Sequence, residues 1–209
     1  YYPDSKELNV LNIRSIEKYV KKTKPKIFIH AAGLSRPMNV HTKNIDKSIS
    51  LNIIGTANVT KICSKYNIKI VYFSTCYVYP GISGNYKEED AILPINNYAW
   101  SKLGGECSIQ MYKNSLILRL SMTEKPFIHK EAFVDFKTNF IFHDEVAKIL
   151  IKLLPRKGII NVGGESQSVY QFAIKENKNI KRSSAKKVLT KNSPLNPSMD
   201  IKKLKKILK

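Results

Sequence analysis

Four short apolar segments, separated by helical patterns, constrain the fold of this chain more than any other feature of its sequence. The predicted strands are 26–33, 68–75, 116–120 and 158–164. The predicted helices are 14–22, 44–66, 97–113, 140–154, 167–175 and 200–208. A strand that is apolar without alternation is buried on both faces, which is typical of a parallel sheet covered by helices. This alternation of strand and helix predicts an α/β fold with a parallel sheet and right-handed crossovers.

The composition limits the class of protein further. With 209 residues, of which 43% are hydrophobic, the chain can form one domain with a sizeable core. No apolar run approaches the roughly 20 residues that a membrane-spanning helix needs, and the first residues show no secretory signal. We therefore expect a cytoplasmic protein without a membrane partner. Because the chain begins at Tyr1 rather than at Met, we also expect its natural N-terminus to lie upstream.

The net charge is +20, from 36 basic and 16 acidic residues. Residues 175–209 hold half of it, with twelve lysines and arginines against Glu176 and Asp200. This segment has no interleaved aromatic residues for base stacking and no recognisable nucleic-acid module, so we expect no nucleic acid partner. A basic surface that attracts a phosphorylated substrate or cofactor is the favoured interpretation. The three cysteines have no CxxC spacing, and we expect no metal site.

Two predicted strands end in residues suited to a ligand. In parallel α/β sheets, ligands bind at the carboxyl ends of the strands. The first strand ends in Ala31-Ala32-Gly33, whose small side chains let a flat ligand approach the backbone. The second ends in Ser74-Thr75, and the Thr75 hydroxyl could polarise a carbonyl group.

Tyr98 and Lys102 are the candidate acid/base pair. Their spacing of four places both side chains on one face of the predicted helix. An ammonium group beside a tyrosine lowers the pKa of the phenol, which makes it a usable general acid/base. Tyr2 and Lys6 have the same spacing, so the context must distinguish the pairs. Thr75 does so, because its strand end and the helix that follows can converge at one sheet edge.

The ordered set of these residues resembles the extended short-chain dehydrogenase/reductase family, the NAD-dependent sugar-nucleotide epimerases, dehydratases and reductases. The resemblance covers about residues 9 to 205. The matching segments are 30–33, 52–56, 72–80, Tyr98 with Lys102, 118–121, 142–147 and 161–164. It implies a Rossmann-like doubly wound parallel sheet that lacks its first βα unit, with a small C-terminal substrate-binding part. Residues 1–120 would form an incomplete NAD(P)-binding domain, to which 143–164 return, and 121–142 with 165–209 the reduced substrate-binding part.

The resemblance also implies roles for single residues. Tyr98 would be the general acid/base, Lys102 would lower its pKa and bind the nicotinamide ribose, and Thr75 would bind the substrate carbonyl. NADPH or NADH would be the cofactor, and a nucleotide-sugar the substrate. The implied cofactor-binding residues are Ala31, Ala32, Gly33, Ser74, Tyr98, Lys102 and Ser121, and the implied substrate-binding residues are Thr75 and Cys76.

The chain departs from the family pattern at three places. No glycine-rich turn for the cofactor pyrophosphate is present. Asn12-Ile13 stands where the family usually has an acidic residue facing the adenine, and Cys76-Tyr77 stands where the dehydratases have an acid pair. Dehydration is therefore disfavoured.

Among the branches of the family, the tail 194–204 resembles the end of dTDP-4-dehydrorhamnose reductases. The resemblance implies reduction of a nucleotide-linked 4-keto-6-deoxy sugar, in the synthesis of surface polysaccharide precursors. Another NAD-dependent sugar-nucleotide epimerase, or a non-catalytic regulatory relative of the same fold, stays open as an alternative. A homodimer through the helices of 44–66 and 98–113 is a further implication.

Overall fold

The computed structural model describes residues 1–189 and 194–209. The longer helices are α1 (Ile13–Thr23), α4 (Gly55–Lys65), α5 (Asn97–Gln110) and α6 (His143–Leu153), and the shorter ones are α2 (Val40–Lys43), α3 (Ile45–Ile49), α7 (Val169–Ala173), α8 (Ala185–Val188) and α9 (Lys202–Leu208). The strands are β1 (Ile27–His30), β2 (Lys69–Thr75), β3 (Ser115–Leu120), β4 (Met122–Thr123), β5 (Glu131–Phe133), β6 (Lys137–Thr138), β7 (Ile141–Phe142), β8 (Gly158–Val162), β9 (Gln167–Ser168) and β10 (Lys181–Ser183). Among the described residues, no helix is long and apolar enough to cross a membrane.

The main sheet confirms the predicted α/β fold with a parallel sheet. Over residues 1–189 and 194–209 it has the strand order β1-β2-β3-β8. β1 and β2 pair in parallel, from Ile27 opposite Lys69 to His30 opposite Tyr72. Every residue of β3 is buried, as its run of apolar residues without alternation predicts, and this includes Ser115 and Arg119.

Three predicted elements differ from the structure. The predicted helix 44–66 consists of α3 and α4 joined by a π-helical segment, Ser50–Ile54. The predicted helix 140–154 begins only at His143, because Ile141–Phe142 pairs with β4. The predicted helix 167–175 begins only after β9, where the Ser168 hydroxyl accepts a hydrogen bond from the Gln171 amide and caps α7.

The chain divides into two compact units. Unit 1 comprises residues 1–74, 96–118 and 156–159, and unit 2 comprises 75–95, 119–155 and 160–209. These boundaries differ from those of the predicted domains, whose assignment to cofactor and substrate stays a prediction.

The core of unit 1 lies between α1, α4 and the sheet. The Asn12 side chain caps α1 by accepting hydrogen bonds from the amides of Arg14 and Ser15. Ile16 and Val20, one turn apart, are then buried on the same face. They join a cluster whose further buried members include Val59, Ile62, Cys63, Ile70, Tyr72, Ile109 and Ile117.

The core of unit 2 is rich in phenylalanine. Phe127, Phe136, Phe142 and Phe172 are buried together, and the Phe142 and Phe172 ring centroids are 4.9 Å apart.

A buried polar network supports the loop after Thr75. Arg119 Nη1 donates a hydrogen bond to the Tyr79 hydroxyl at 2.8 Å, and that hydroxyl donates to Asn161 Oδ1 at 2.8 Å.

Candidate active site

The candidate site of unit 1 is built on the first turns of α5. The Asn96 side chain accepts a hydrogen bond from the Ala99 amide at 2.8 Å and caps the helix. Tyr98 and Lys102 therefore lie one turn apart on one helix, as predicted. Tyr98 is half-buried and Lys102 is buried.

Lys102 is the more perturbed member of the pair. Its Nζ lies over the ring of Tyr72, 4.2 Å from the ring centroid. Burial lowers the pKa of Lys102 to about 7, and the charge of Glu106 opposes part of this effect. The spacing of Tyr98 and Lys102 predicts an ammonium group beside the phenol. Whether Lys102 carries that charge depends on its burial and on Glu106.

Glu106, one turn beyond Lys102, is a buried residue that the sequence interpretation did not select. Its side chain is 0% exposed. The Ser74 hydroxyl donates a hydrogen bond to Glu106 Oε2 at 2.6 Å, and Gln110 Nε2 donates one to Oε1 at 3.1 Å. The spacing of four from Lys102 was the available signal.

Asn52, in the π-helical segment, ties the segment after β1 to α5. Its side chain accepts a hydrogen bond from the Leu34 amide at 2.7 Å, and donates one to the Leu34 carbonyl and one to the Ser101 hydroxyl, both at 2.8 Å. The Ser101 hydroxyl in turn donates to the carbonyl of Tyr98 at 2.8 Å. A Cβ at Gly33 would lie 2.9 Å from Asn52 Oδ1, so this close approach favours glycine.

His41 is a second residue that the sequence did not reveal. It is buried, and its ring centroid lies 5.1 Å from that of Tyr98. Its Nδ1 is 2.7 Å from the Ser48 hydroxyl oxygen, and burial lowers the pKa of its imidazole. A neutral imidazole therefore packs against the candidate acid/base.

The predicted cofactor residues of unit 1 are placed as follows. β1 ends at His30, so Ala31, Ala32 and Gly33 follow the strand, and all three are exposed. Ser74 is buried, with its hydroxyl bonded to Glu106. The exposed small residues leave the carboxyl end of β1 open to a flat ligand.

The other predicted site residues belong to unit 2. Thr75 is buried, and its hydroxyl oxygen accepts a hydrogen bond from the Tyr77 amide at 3.3 Å. Burial raises the pKa of Cys76 to about 11, so that its thiol is neutral at neutral pH. The Ser121 and Thr138 hydroxyl oxygens lie 2.7 Å apart. The convergence of Thr75 with Tyr98 stays a prediction.

The fold and the Tyr98–Lys102 pair define a protein of the extended short-chain dehydrogenase/reductase type, which confirms the resemblance. The chain belongs to the family of the RmlD substrate binding domain, whose family model matches residues 1–139.

Two curated proteins are similar in sequence to this chain. Methionine adenosyltransferase 2 subunit beta from Xenopus laevis is 26% identical over 235 residues, which cover 96% of this chain and 70% of that protein. The dTDP-4-dehydrorhamnose reductase from Aggregatibacter actinomycetemcomitans is 28% identical over 161 residues, which cover 76% of this chain. The match spans 49% of the length of that reductase. A match to methionine adenosyltransferase 2 subunit beta from Bos taurus spans 32% of the length of that subunit.

Solved structures share the fold over nearly the whole chain. The dTDP-4-dehydrorhamnose reductase from Bacillus anthracis, in complex with NADP, matches with a TM-score of 0.84 and 24% identity, over 98% of this chain and 81% of its own. A protein from Sulfolobus tokodaii, described as a hypothetical dTDP-4-dehydrorhamnose reductase, matches with a TM-score of 0.82 and 26% identity, over 96% and 80%.

Proposed function

We propose that this chain carries the acid/base site of an NAD(P)-dependent oxidoreductase that reduces a nucleotide-linked 4-keto-6-deoxy sugar. The single observation that carries the proposal is the Tyr98–Lys102 pair on α5, with Lys102 buried over Tyr72. The family, the reductase relative and the neighbour in complex with NADP support it. Its place would be in the cytoplasmic synthesis of surface polysaccharide precursors.

The residues of unit 1 fit the nicotinamide end of such a cofactor. Lys102 Nζ lies 4.2 Å from the Tyr72 ring centroid and carries three N–H donors, which a ribose hydroxyl could accept. Ala31, Ala32 and Gly33 present an exposed, small-residue surface. These residues would hold the cofactor together with Tyr98, and Ser74 and Ser121 keep the cofactor roles implied for them.

In the proposed reduction, the side chains of the chain supply the proton and stabilise the charge that its transfer leaves behind. The cofactor, when bound, supplies a hydride to the carbonyl carbon. Tyr98 donates its phenolic proton to the carbonyl oxygen, and the Lys102 ammonium stabilises the phenolate that remains. The resemblance assigns Thr75 a hydrogen bond to the substrate carbonyl and Cys76 a contact with the substrate, and both roles stay part of the proposal.

The test is the oxidation of NADPH or NADH, followed by absorbance, with dTDP-4-dehydrorhamnose, the sugar nucleotide in the name of the reductase relative. Because no glycine-rich turn is present in the sequence, the chain is assayed as printed and also fused to an upstream βα unit of a reductase. Isothermal titration of each cofactor into both versions gives binding separately from turnover. The oxidoreductase proposal fails if the fused version binds neither cofactor.

A second candidate is a non-catalytic relative of the same fold, acting within a larger assembly. The relatives named methionine adenosyltransferase 2 subunit beta favour it, since one of them matches 96% of this chain. This function predicts cofactor binding without turnover, and co-elution with a methionine adenosyltransferase in gel filtration. An epimerase, the remaining alternative, would convert the sugar without net oxidation of the cofactor.

A further inference from the structure

Glu106 is a fully buried carboxylate whose position the proposed reaction does not by itself explain. It accepts hydrogen bonds from Ser74 at the end of β2 and from Gln110 on its own helix. Neither of these donors carries a charge. A carboxylate that is removed from water costs several kcal/mol unless an opposite charge compensates it.

Lys102 is the cation placed to compensate it. Side chains four residues apart on a helix have Cβ atoms about 5–6 Å apart, so Lys102 and Glu106 lie on the same face of α5. Lys102 is buried as well, so each of the two charges is placed to offset part of the desolvation cost of the other. The pair joins the end of β2 to the first turns of the helix that carries Tyr98.

We propose that Glu106 is a positioning residue for Lys102: its buried carboxylate keeps the lysine side chain an ammonium ion beside Tyr98. The inference deepens the proposed reduction and rests on it for its catalytic meaning. A neutral amine at position 102 would give no electrostatic support to a phenolate at position 98.

The other titratable groups around Lys102 do not supply this charge. They are Tyr72 on β2, His30 on β1 and Tyr98 on α5 itself. Burial lowers the pKa of His30 to about 3 and raises the pKa of Tyr72, so both are neutral at neutral pH. Glu106, by contrast, raises the pKa of Lys102 through its charge.

The test is a pH titration of lysine side chains by ¹³C and ¹⁵N NMR, which needs no substrate. The Lys102 signal is the one that titrates near neutral pH and disappears in Lys102→Met. In Glu106→Gln, which keeps the shape of the side chain, its midpoint should fall by about one pH unit or more. Glu106→Asp keeps the charge and should stay near the wild-type midpoint, as should Ser74→Ala. An unchanged midpoint in Glu106→Gln overturns the inference.

A double-mutant cycle keeps the inference testable if Glu106→Gln is poorly folded. Because the two buried charges compensate each other, Lys102→Met should raise the unfolding temperature more in the Glu106→Gln background than in the wild type. Equal shifts in the two backgrounds contradict the pairing. A shifted Lys102 titration without any sugar reduction refutes the proposed function alone. Reduction by Glu106→Gln with a wild-type pH profile refutes the role of Glu106 alone.

Discussion

The hydroxyl of Tyr98 is the group on which the proposed chemistry depends. Tyr98→Phe should lower kcat by about two orders of magnitude or more, since general acid catalysis typically contributes that much. Cofactor affinity should change little, because the ring and its contact with His41 remain. Steady-state kinetics and isothermal titration on the fused version separate the two effects.

Tyr2→Phe is the matched control, because Tyr2 and Lys6 have the same spacing and Tyr2 is fully exposed. It should leave kcat unchanged. Equal turnover in Tyr98→Phe and Tyr2→Phe would remove Tyr98 from the chemistry.

Lys102 illustrates the conflict between stability and activity at a single residue. Its pKa is about 7 in the folded chain and near 10.5 when it is exposed. Between these values the unfolded chain binds more protons, so this residue makes the folded chain more stable as pH rises from about 7 to about 10.5. Lys102→Met should therefore lose this rise in stability with pH, and it should abolish turnover.

Urea denaturation at about pH 7 and about pH 9 measures the pH dependence of stability, and cofactor oxidation by the fused version measures turnover. The rise in stability with pH should be smaller in Lys102→Met than in the wild type. If Lys102→Met keeps the pH dependence of the wild type, Lys102 is not the group that causes it.

At the scale of an element, the π-helical segment Ser50–Ile54 holds the candidate site together through Asn52. Asn52→Ala removes the partner of the Leu34 amide, the Leu34 carbonyl and the Ser101 hydroxyl. The free energy of unfolding should fall by about 2–4 kcal/mol, since buried polar groups are left unpaired.

Asn58→Ala, on the following helix, is the control for Asn52→Ala. Asn58 donates one hydrogen bond among the described residues, to the Val10 carbonyl at 3.1 Å, and its replacement by alanine should cost about 1 kcal/mol. Urea denaturation of both variants gives the comparison. Equal losses would argue against a special role of the segment.

The elements that sequence could predict are those whose signal is local. α1 and α5 have capping asparagines, and β2 and β3 each contain a run of consecutive apolar residues. The strands β7 and β9 have only two residues each, too few to show the alternation typical of a strand. The predicted helices 140–154 and 167–175 therefore include them. Their formation depends on partners distant in the sequence, which a local pattern does not contain.

The same distinction separates the parts of the candidate site. The Tyr98–Lys102 pair is a spacing on one helix and was predicted. The burial of Glu106 depends on Ser74, and His41 meets Tyr98 only through tertiary packing. A sequence pattern gives no measure of either, so these two residues were missed.

At the scale of the whole molecule, the net charge of +20 should govern how fast phosphorylated ligands associate. A field of one sign attracts anions over distances of about a Debye length, which is about 10 Å at 0.1 M salt. The association rate of NADPH should therefore fall about tenfold or more between 0.02 M and 0.5 M NaCl. Stopped-flow fluorescence of the fused version measures it, with uncharged nicotinamide riboside derivatives as the control ligands.

Charge removal distinguishes a field of the whole molecule from a local contact. Two variants each replace three exposed lysines by glutamine: Lys18, Lys21 and Lys22 on α1, or Lys202, Lys203 and Lys206 on α9. Both should slow NADPH association by similar, modest factors, because each removes the same share of the net charge. If one variant alone abolishes the salt dependence, its helix contains the phosphate contact and the rest of the charge serves another purpose, such as solubility.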